Sequence, residues 1–332
     1  MVRLRKEFME LKGRKYKYPK INVWSSSNLH VDFEKIYEET FKWAVKFGLT
    51  SADPKTYKKE NFTRLTCMVY HGGDYERVLL INKWIVHFFE IDDYIEKMSE
   101  KRSFFGSLVY RGGENSDLIS LMDSSSKYEQ TPLLTSFADL WNQFKAVSNK
   151  IWQQRFAENY IWYLKSLSWE RNVTETQMPS LAEFVEMRQY TSGIDFCLNF
   201  AEIAYKMFIP DSILTSVVLQ RFGFLCSIIV GLVNDVYSYE KEQRAKQLHN
   251  VVAILKHEYN IDDQEAIEKA VVLINDEIEK ILITLRLMPN FEGEMNESVK
   301  KYIEGGLSWI TGNHDWGFAS DRYTKYANEQ NI

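Results

Sequence analysis

The chain has 332 residues, 45% of them hydrophobic and 14% aromatic, which is enough apolar material for a large buried core. Its formal net charge of −5 makes nucleic acid or an anionic membrane surface an unexpected partner. Three widely spaced cysteines argue against a disulfide framework or a zinc site and favour a reducing, cytoplasmic location.

Residues 1–30 are predicted to form a basic N-terminal arm. The segment is basic up to about Lys20 and lacks the hydrophobic run of a secretory signal, while Glu7 and Glu10 argue against an organelle transit peptide. Two interpretations stay open: a solvated, partly disordered arm, or a strap that closes over an anionic substrate. We expect residues 31–332 to form one helical domain.

From residue 31 onward the sequence has helical periodicity, with no competing strand alternation. Only 15 Gly and 6 Pro occur, which favours long helices with short connections and an all-α fold. The longest loop is expected between residues 104 and 132. Boundary signals predict helices at about residues 32–47, 57–70, 75–98, 135–170, 181–192, 195–207, 212–244, 247–258, 263–287, 295–311 and 317–328.

An acidic cluster ends the predicted helix at residues 75–98. Asp92 and Glu96 are one helical turn apart, on the face that also carries Phe88 and Phe89 on the turns before them. Two carboxylates at a helix C-terminus repel each other unless a cation holds them. Mg²⁺ prefers oxygen ligands, and a substrate phosphate commonly fills the coordination positions that the protein leaves open. The alternative is a polar helix end in water.

A second polar stripe ends the most apolar predicted helix. Asn234, Ser238 and Glu242 lie on successive turns and offer an amide oxygen, a hydroxyl and a carboxylate, which together suit a hard cation. Asp235 and Glu240 point away from this stripe, toward solvent or toward partners of the ligands.

The helix that carries the second stripe is also the strongest candidate for a membrane span. Its apolar part, residues 212–233, is interrupted by Gln220 and Arg221 and runs directly into the polar stripe. We therefore predict a buried core helix and no membrane span.

Together, D-D-x-x-E from Asp92 to Glu96 and N-D-x-x-S-x-x-x-E from Asn234 to Glu242 resemble the two metal motifs of class I terpene synthases. The resemblance is to the compact single-domain form found in microbes, including social amoebae, and extends from about residue 60 to 325. It implies a helical bundle around a central active-site cavity, a prenyl diphosphate substrate, three Mg²⁺ ions bound with the diphosphate, and a homodimer.

Two further matches lie where the family has them. Arg188 stands at the position of the family's diphosphate-sensing arginine, and Arg322 with Tyr323 matches its Arg-Tyr pair. The resemblance also implies a helix break that faces the substrate just after Arg188, without indicating which of its residues acts there. The residues of this break are Thr191, Ser192 and Gly193.

The resemblance implies roles for the remaining candidates. Asp92 is the expected principal metal ligand, whereas Asp93 and Glu96 are either ligands or partners of the ligand. Lys241 is a further point charge for the diphosphate. Aromatic faces stabilise a carbocation without offering a nucleophile, although some of these rings are alternatively core residues. The aromatic candidates are Phe88, Phe89, Trp309 and Trp316.

The predicted function is ionisation of a prenyl diphosphate, most simply farnesyl diphosphate, followed by cyclisation or rearrangement to a sesquiterpene. Alternatives are a diterpene synthase acting on geranylgeranyl diphosphate and a non-catalytic isoprenoid-binding protein. A chain-elongating prenyl transferase is disfavoured, because its second aspartate-rich motif is replaced here by Asn234-Asp235-x-x-Ser238. The absence of a D-x-D-D motif disfavours a protonation-initiated cyclase. The sequence does not indicate the product.

Overall fold

The computed structural model describes residues 7–9, 11, 14–24, 27–50, 57, 61–95, 105, 108 and 118–324. Helices dominate these residues, and the prediction of an all-α fold is confirmed. The helices are α1 (Phe33–Lys46), α2 (Phe62–Val69), α3 (Tyr75–Ile95), α4 (Leu118–Asp123), α5 (Pro132–Val147), α6 (Lys150–Glu170), α7 (Leu181–Thr191), α8 (Ile194–Leu198), α9 (Phe200–Ala204), α10 (Asp211–Leu214), α11 (Val217–Arg244), α12 (Val251–Tyr259), α13 (Asp263–Arg286), α14 (Gly293–Ala319) and α15 (Asp321–Thr324).

Helix α11 lies at the centre of the fold. It packs against α7, α12, α13 and α14, and most of its side chains are buried. Among the described helices, α11 alone is long and apolar enough to cross a membrane, but 67% of its apolar window is buried inside the protein. Burial on several sides explains why the helix is apolar around most of its circumference.

Trp84 anchors α3 in the core. Its indole is fully buried and lies within ring-contact distance of five aromatic side chains from α5, α6 and α9. Such packing fixes the rotation of α3, so the positions one and two turns further on, Phe88 and Asp92, lie on the same inward face. The five rings are those of Phe137, Phe144, Phe156, Tyr160 and Phe200.

Several helix boundaries differ from the predicted ones. The predicted helix at residues 135–170 is two helices, because Ser148 bonds back to Phe144 and Asn149 caps α6 by accepting from the Trp152 amide at 2.8 Å. The predicted helices at 195–207 and 212–244 are likewise interrupted, whereas 295–311 continues without a break to Ala319. Part of the predicted loop is helical, in α4 and the 3-10 turn that follows it. Polar side chains that bond locally cause breaks that apolar periodicity does not reveal.

The described part of the N-terminal arm is packed against the helices. Strands β1 (Phe8–Met9) and β2 (Tyr18–Pro19) form a small antiparallel pair, although the sequence predicts no strand. Tyr18 and Ile21 are buried, and the Tyr18 hydroxyl donates to Glu240 at 2.8 Å. Tyr16 donates to Asp263 at 2.7 Å. Residues 14–24 are therefore partly packed against the helices, and the choice between a solvated arm and a strap stays a prediction.

Candidate active site

A cavity of about 440 Å³ lies among α3, α7, α11 and α14. Its apolar part includes Ile85, Phe88, Phe89, Val230 and Trp309. Polar side chains line it as well, from both predicted metal motifs and from the predicted diphosphate-sensing position. These are Asp92, Arg188, Asn234 and Glu242. An apolar chamber with a few convergent charged groups is the usual form of a small-molecule site.

Asp92 is held from a neighbouring helix. The Tyr163 hydroxyl of α6 donates to its Oδ1 at 2.7 Å. Burial, and then the Asp92 carboxylate, raise the pKa of Tyr163, so this hydroxyl keeps its proton and acts as a donor. Asp93 belongs to α3, but its side chain lies outside the described residues, as does all of Glu96. Their predicted roles stay predictions.

Phe88 and Phe89 both line the cavity. Phe88 packs against Tyr163 and Phe196 at centroid distances of 5.1 and 5.3 Å, and Phe89 stacks on Phe62 at 3.9 Å. Each ring therefore has a cavity side and a core side. Lining of the cavity and packing in the core are thus combined in each of these two rings.

The stripe on α11 is linked to its neighbours by hydrogen bonds. The Asn234 amide nitrogen donates to the Tyr323 hydroxyl at 2.8 Å, so the amide oxygen is the atom that this side chain offers to a cation. Ser238 is buried between the other two positions and donates weakly to the Asp235 carbonyl. The Glu242 carboxylate accepts from Asn250 at 2.8 Å. Burial, and then the nearby Asp235, raise the pKa of Glu242, and a bound cation would oppose that shift.

Arg188 is almost fully buried and firmly held. It donates to Thr191 Oγ1 at 3.1 Å, to the Gly231 carbonyl at 3.2 Å and to Asp235 Oδ1 at 2.7 Å. A Cβ on Gly231 would lie 2.9 Å from the Arg188 side chain, so glycine is needed for this close approach. The Arg188 Nε–H is buried and has no hydrogen-bond partner among the residues described.

Asp235 and Glu240 are both buried, which removes the solvent-exposed alternative for these two residues and leaves the alternative that they contact partners of the predicted ligands. Asp235 forms the ion pair with Arg188, and Glu240 accepts a hydrogen bond from the Tyr18 hydroxyl of the N-terminal arm. A charge on the buried side of a helix needs such a partner. Helical geometry predicts which face a residue occupies, but it does not reveal what covers that face.

The helix break follows directly after Arg188. Helix α7 ends at Thr191, and Gly193 adopts a left-handed conformation with φ of 69° before α8 begins. Thr191 and Ser192 line the cavity, whereas Gly193 lies against the Phe88 ring. The predicted break is thus present and borders the cavity.

The C-terminal candidates Arg322 and Tyr323 lie among aromatic rings. Arg322 lies over the rings of Phe62 and Phe89, each at 5.4 Å, and Tyr323 is buried against Trp316. Neither these residues nor Lys241 is among the described lining residues.

The two tryptophans differ in their positions. Trp309 lines the cavity, and its indole N–H donates to the Tyr70 hydroxyl at 3.0 Å. Trp316 lies 6.0 Å from the Phe62 ring and 6.2 Å from the Phe89 ring, centroid to centroid, and is not among the described lining residues. Its place in the pocket surface stays a prediction.

Several polar residues around the cavity carry no motif and are absent from the sequence-based candidates. His249 Nδ1 lies 2.7 Å from a Glu170 carboxylate oxygen, and both residues line the cavity. Tyr163 contacts Asp92, and Asn250 contacts Glu242. Of these residues, only Asn250 could have been singled out from the sequence, since an Asn that precedes an apolar pair such as Val251-Val252 is a typical helix N-cap.

The donor set fits a hard divalent cation. Four predicted ligands have described side chains, namely Asp92, Asn234, Ser238 and Glu242, and all offer oxygen atoms. Mg²⁺ prefers oxygen, and it keeps positions for water and phosphate. Within the described ranges, no group of three or more His, Cys, Asp or Glu side chains could by itself hold a metal ion.

Comparisons with known proteins agree with this geometry. The family model "Terpene synthase family 2, C-terminal metal binding" matches residues 83–280. A 10-epi-cubebol synthase of Sorangium cellulosum is 25% identical over 303 residues, covering 89% of this chain and 94% of the relative. A "(+)-T-muurolol synthase ((2E,6E)-farnesyl diphosphate cyclizing)" of Roseiflexus castenholzii is 24% identical, covering 89% of each chain.

Solved structures show the same fold. The crystal structure of a-eudesmol synthase has a TM-score of 0.76 at 19% identity, covering 91% of this chain and 99% of that one. Wild-type cucumene synthase has a TM-score of 0.72 at 19% identity, covering 89% and 99%. At such identities the likeness concerns the fold.

Proposed function

The chain belongs to terpene synthase family 2, and we propose that it is a magnesium-dependent class I sesquiterpene synthase that acts on farnesyl diphosphate. One observation carries the proposal: Asp92, Arg188, Asn234 and Glu242 line the same cavity as a set of aromatic and aliphatic side chains. A prenyl diphosphate has the matching form, because an apolar chain is joined to a polyanion. The farnesyl length is supported by the substrate that the name of the T-muurolol synthase states.

Asp92, Asn234, Ser238 and Glu242 are the residues that would hold Mg²⁺, with Asp93 and Glu96 as further candidates. The bound ions would supply Lewis-acid stabilisation of the leaving diphosphate. Magnesium, the number of three ions and the individual ligands are all part of this proposal.

The chain's own donors would act on the same leaving group. Arg188 would offer its buried Nε–H, with Arg322 and Lys241 as additional cations and Tyr323 as a hydroxyl donor. The allylic C–O bond breaks, and its electron pair leaves with the diphosphate. Each donor aimed at that developing charge typically contributes about 2.7 to 4 kcal/mol to stabilisation of the transition state.

The apolar part of the cavity would then protect the carbocation. Phe88, Phe89 and Trp309 line the cavity, and an aromatic ring whose face meets a cation would stabilise it by about 0.5 to 2 kcal/mol. They offer no nucleophile, and they keep bulk water from the cation until it has cyclised or rearranged. Loss of a proton then gives a sesquiterpene hydrocarbon, whereas capture of one water followed by loss of a proton from its oxygen gives an alcohol.

We also propose a cytoplasmic homodimer. The three cysteines Cys67, Cys197 and Cys226 are free and buried, which supports a reducing compartment. The dimer rests on the family resemblance, and size-exclusion chromatography with light scattering tests it directly.

The activity is tested by incubating purified protein with geranyl, farnesyl and geranylgeranyl diphosphates, with Mg²⁺ or with chelator. We expect a magnesium-dependent terpene from farnesyl diphosphate, detected by gas chromatography and mass spectrometry, and its loss in Asp92→Ala and Asn234→Ala. A product from geranylgeranyl diphosphate alone would make the protein a diterpene synthase. Binding of all three substrates without turnover would overturn the catalytic proposal in favour of isoprenoid binding.

A further inference from the structure

Asn250 lies at the start of α12 and is fully buried. Its Oδ1 accepts from the Val252 amide at 2.8 Å, which caps the helix. Its Nδ2 donates to the Asp235 carbonyl and to Glu242 Oε2, both at 2.8 Å. One side chain therefore bonds to α12 through its oxygen and to α11 through its nitrogen.

Helix capping explains only the first of these three bonds. Ser, Thr and Asp cap helices about as well as Asn, because capping needs only an acceptor. The amide of Asn is different in carrying an acceptor and two N–H donors on one short side chain. Both donors are directed at the segment of α11 that contains Asn234, Ser238 and Glu242.

The Glu242 carboxylate needs an external support. It lies in the last turn of α11, where the helix dipole disfavours an anion, and it is partly buried. A side chain with free rotation about its χ angles loses conformational entropy when it binds a ligand in one orientation. The hydrogen bond from Asn250 restricts that rotation before any cation arrives.

The start of α12 also contacts the ion-pair partner of Arg188. The Val251 amide, next to Asn250, donates to Asp235 Oδ2 at 3.1 Å, while Asp235 Oδ1 accepts from Arg188. Asp235 is thus held at its carbonyl by Asn250 and at its carboxylate by Val251. The start of α12 therefore contacts both Glu242 and the partner of Arg188.

We propose that Asn250 is a positioning residue: through the Nδ2–H that donates to Oε2, it holds the Glu242 carboxylate in the orientation that binds Mg²⁺. This inference rests on the proposed metal-binding function of Glu242. Loss of a hydrogen bond to a metal ligand typically reduces metal affinity roughly 10- to 100-fold. The capping role of Asn250 is separable from this one, because different atoms perform them.

The test compares Asn250→Ser, which can still cap α12 but loses both amide N–H donors and keeps only a hydroxyl on a shorter side chain, with Asn250→Ala, which lacks both functions. Calorimetry measures the binding of inorganic diphosphate at a series of free Mg²⁺ concentrations, and thermal unfolding is measured in parallel. The Mg²⁺ requirement is the free Mg²⁺ concentration that gives half-maximal binding of diphosphate. For Asn250→Ser we expect this requirement to rise roughly 10- to 100-fold. Its melting temperature should lie above that of Asn250→Ala. Asn250→Thr, a second capping residue with more volume, replaces the serine variant if that one does not fold.

Glu242→Gln is measured alone and combined with Asn250→Ser. If Asn250 acts through the Glu242 carboxylate, the serine substitution changes the Mg²⁺ requirement much less in the E242Q background than in the wild type. A wild-type Mg²⁺ requirement in Asn250→Ser, with a raised one in E242Q, would overturn the inference but leave the metal site intact. An unchanged requirement in E242Q would overturn the metal role of Glu242 and this inference with it.

Discussion

Tyr163 reaches a predicted metal ligand from a helix that carries no recognisable motif. Its hydroxyl donates to Asp92, while its ring packs against Phe88 and Phe196. A hydrogen bond of this kind fixes the orientation of a ligand carboxylate before metal binding. At the scale of single residues, the cavity thus depends on side chains such as Tyr163 and Asn250 as well as on the motifs.

Tyr163→Phe should remove the bond to Asp92 and keep the ring contacts. We expect about a 10-fold loss in kcat/KM and a higher Mg²⁺ requirement, because the Asp92 carboxylate becomes less ordered. Steady-state kinetics with farnesyl diphosphate at varied Mg²⁺ measure both quantities.

Tyr160→Phe is the matched control, one turn earlier on α6. Its hydroxyl is buried and has no hydrogen-bond partner among the described residues, so its removal should leave the kinetics unchanged and the stability equal or higher. A wild-type Mg²⁺ requirement in Tyr163→Phe would argue against a positioning role for Tyr163.

At the scale of elements, the junction of α7 and α8 depends on one glycine. Gly193 has a φ of 69°, and a Cβ there would lie 2.6 Å from the Phe88 ring. A side chain at this position therefore meets two separate obstacles, the left-handed backbone and the aromatic ring of the cavity wall.

Gly193→Ala should lower the free energy of unfolding by about 2 to 4 kcal/mol, adding backbone strain of about 1 kcal/mol to an overpacking cost of about 1 to 3 kcal/mol. Because Phe88 must move, the product distribution should change as well. Chemical denaturation and product analysis measure the two effects.

Gly293→Ala separates the two causes. Gly293 has a φ of 54°, but no atom lies within 4 Å of its added Cβ, so only the backbone cost of about 1 kcal/mol is expected. Equal destabilisation of both variants, with unchanged products, would show that Phe88 does not constrain Gly193.

At the scale of the whole molecule, the N-terminal arm is joined to the helical body through α11 and α13. The Tyr18 hydroxyl and the Lys15 amide both donate to Glu240, which lies only two residues from Glu242. Arg14 lies over the rings of Tyr18 and Tyr323 at 5.6 and 6.0 Å. The arm is therefore adjacent to residues assigned to the diphosphate end of the cavity.

Tyr18→Ala should release the arm, because it removes a buried ring and the bond to Glu240. We expect faster tryptic cleavage at Lys15, Lys17 and Lys20, measured by mass spectrometry over time. The control is Asn22→Ala, whose exposed side chain should leave cleavage unchanged. Cleavage of Tyr18→Ala at the wild-type rate would show that other contacts hold the arm.

The predicted helices and the observed ones agree where the apolar period is strong and disagree where local polar bonds intervene. The apolar period correctly predicts the helices α3, α11 and α13, because buried side chains recur at helical spacing along each of them. The break at Ser148 and Asn149 has no Gly or Pro to mark it. A boundary of that kind depends on which side-chain bonds form, and many sequences could form them.

The sequence by itself determined the all-α fold, the family and the location of its two metal motifs, because helical periodicity and ligand spacing are local properties of the chain. Only the tertiary structure decided that Asp235 pairs with Arg188, that Trp316 packs near Phe89, that Tyr163 donates to Asp92 and that Asn250 donates to Glu242. Most of these contacts join residues that are far apart in the chain. They exist because packing of the helices buries polar groups together, and each buried group then requires a partner.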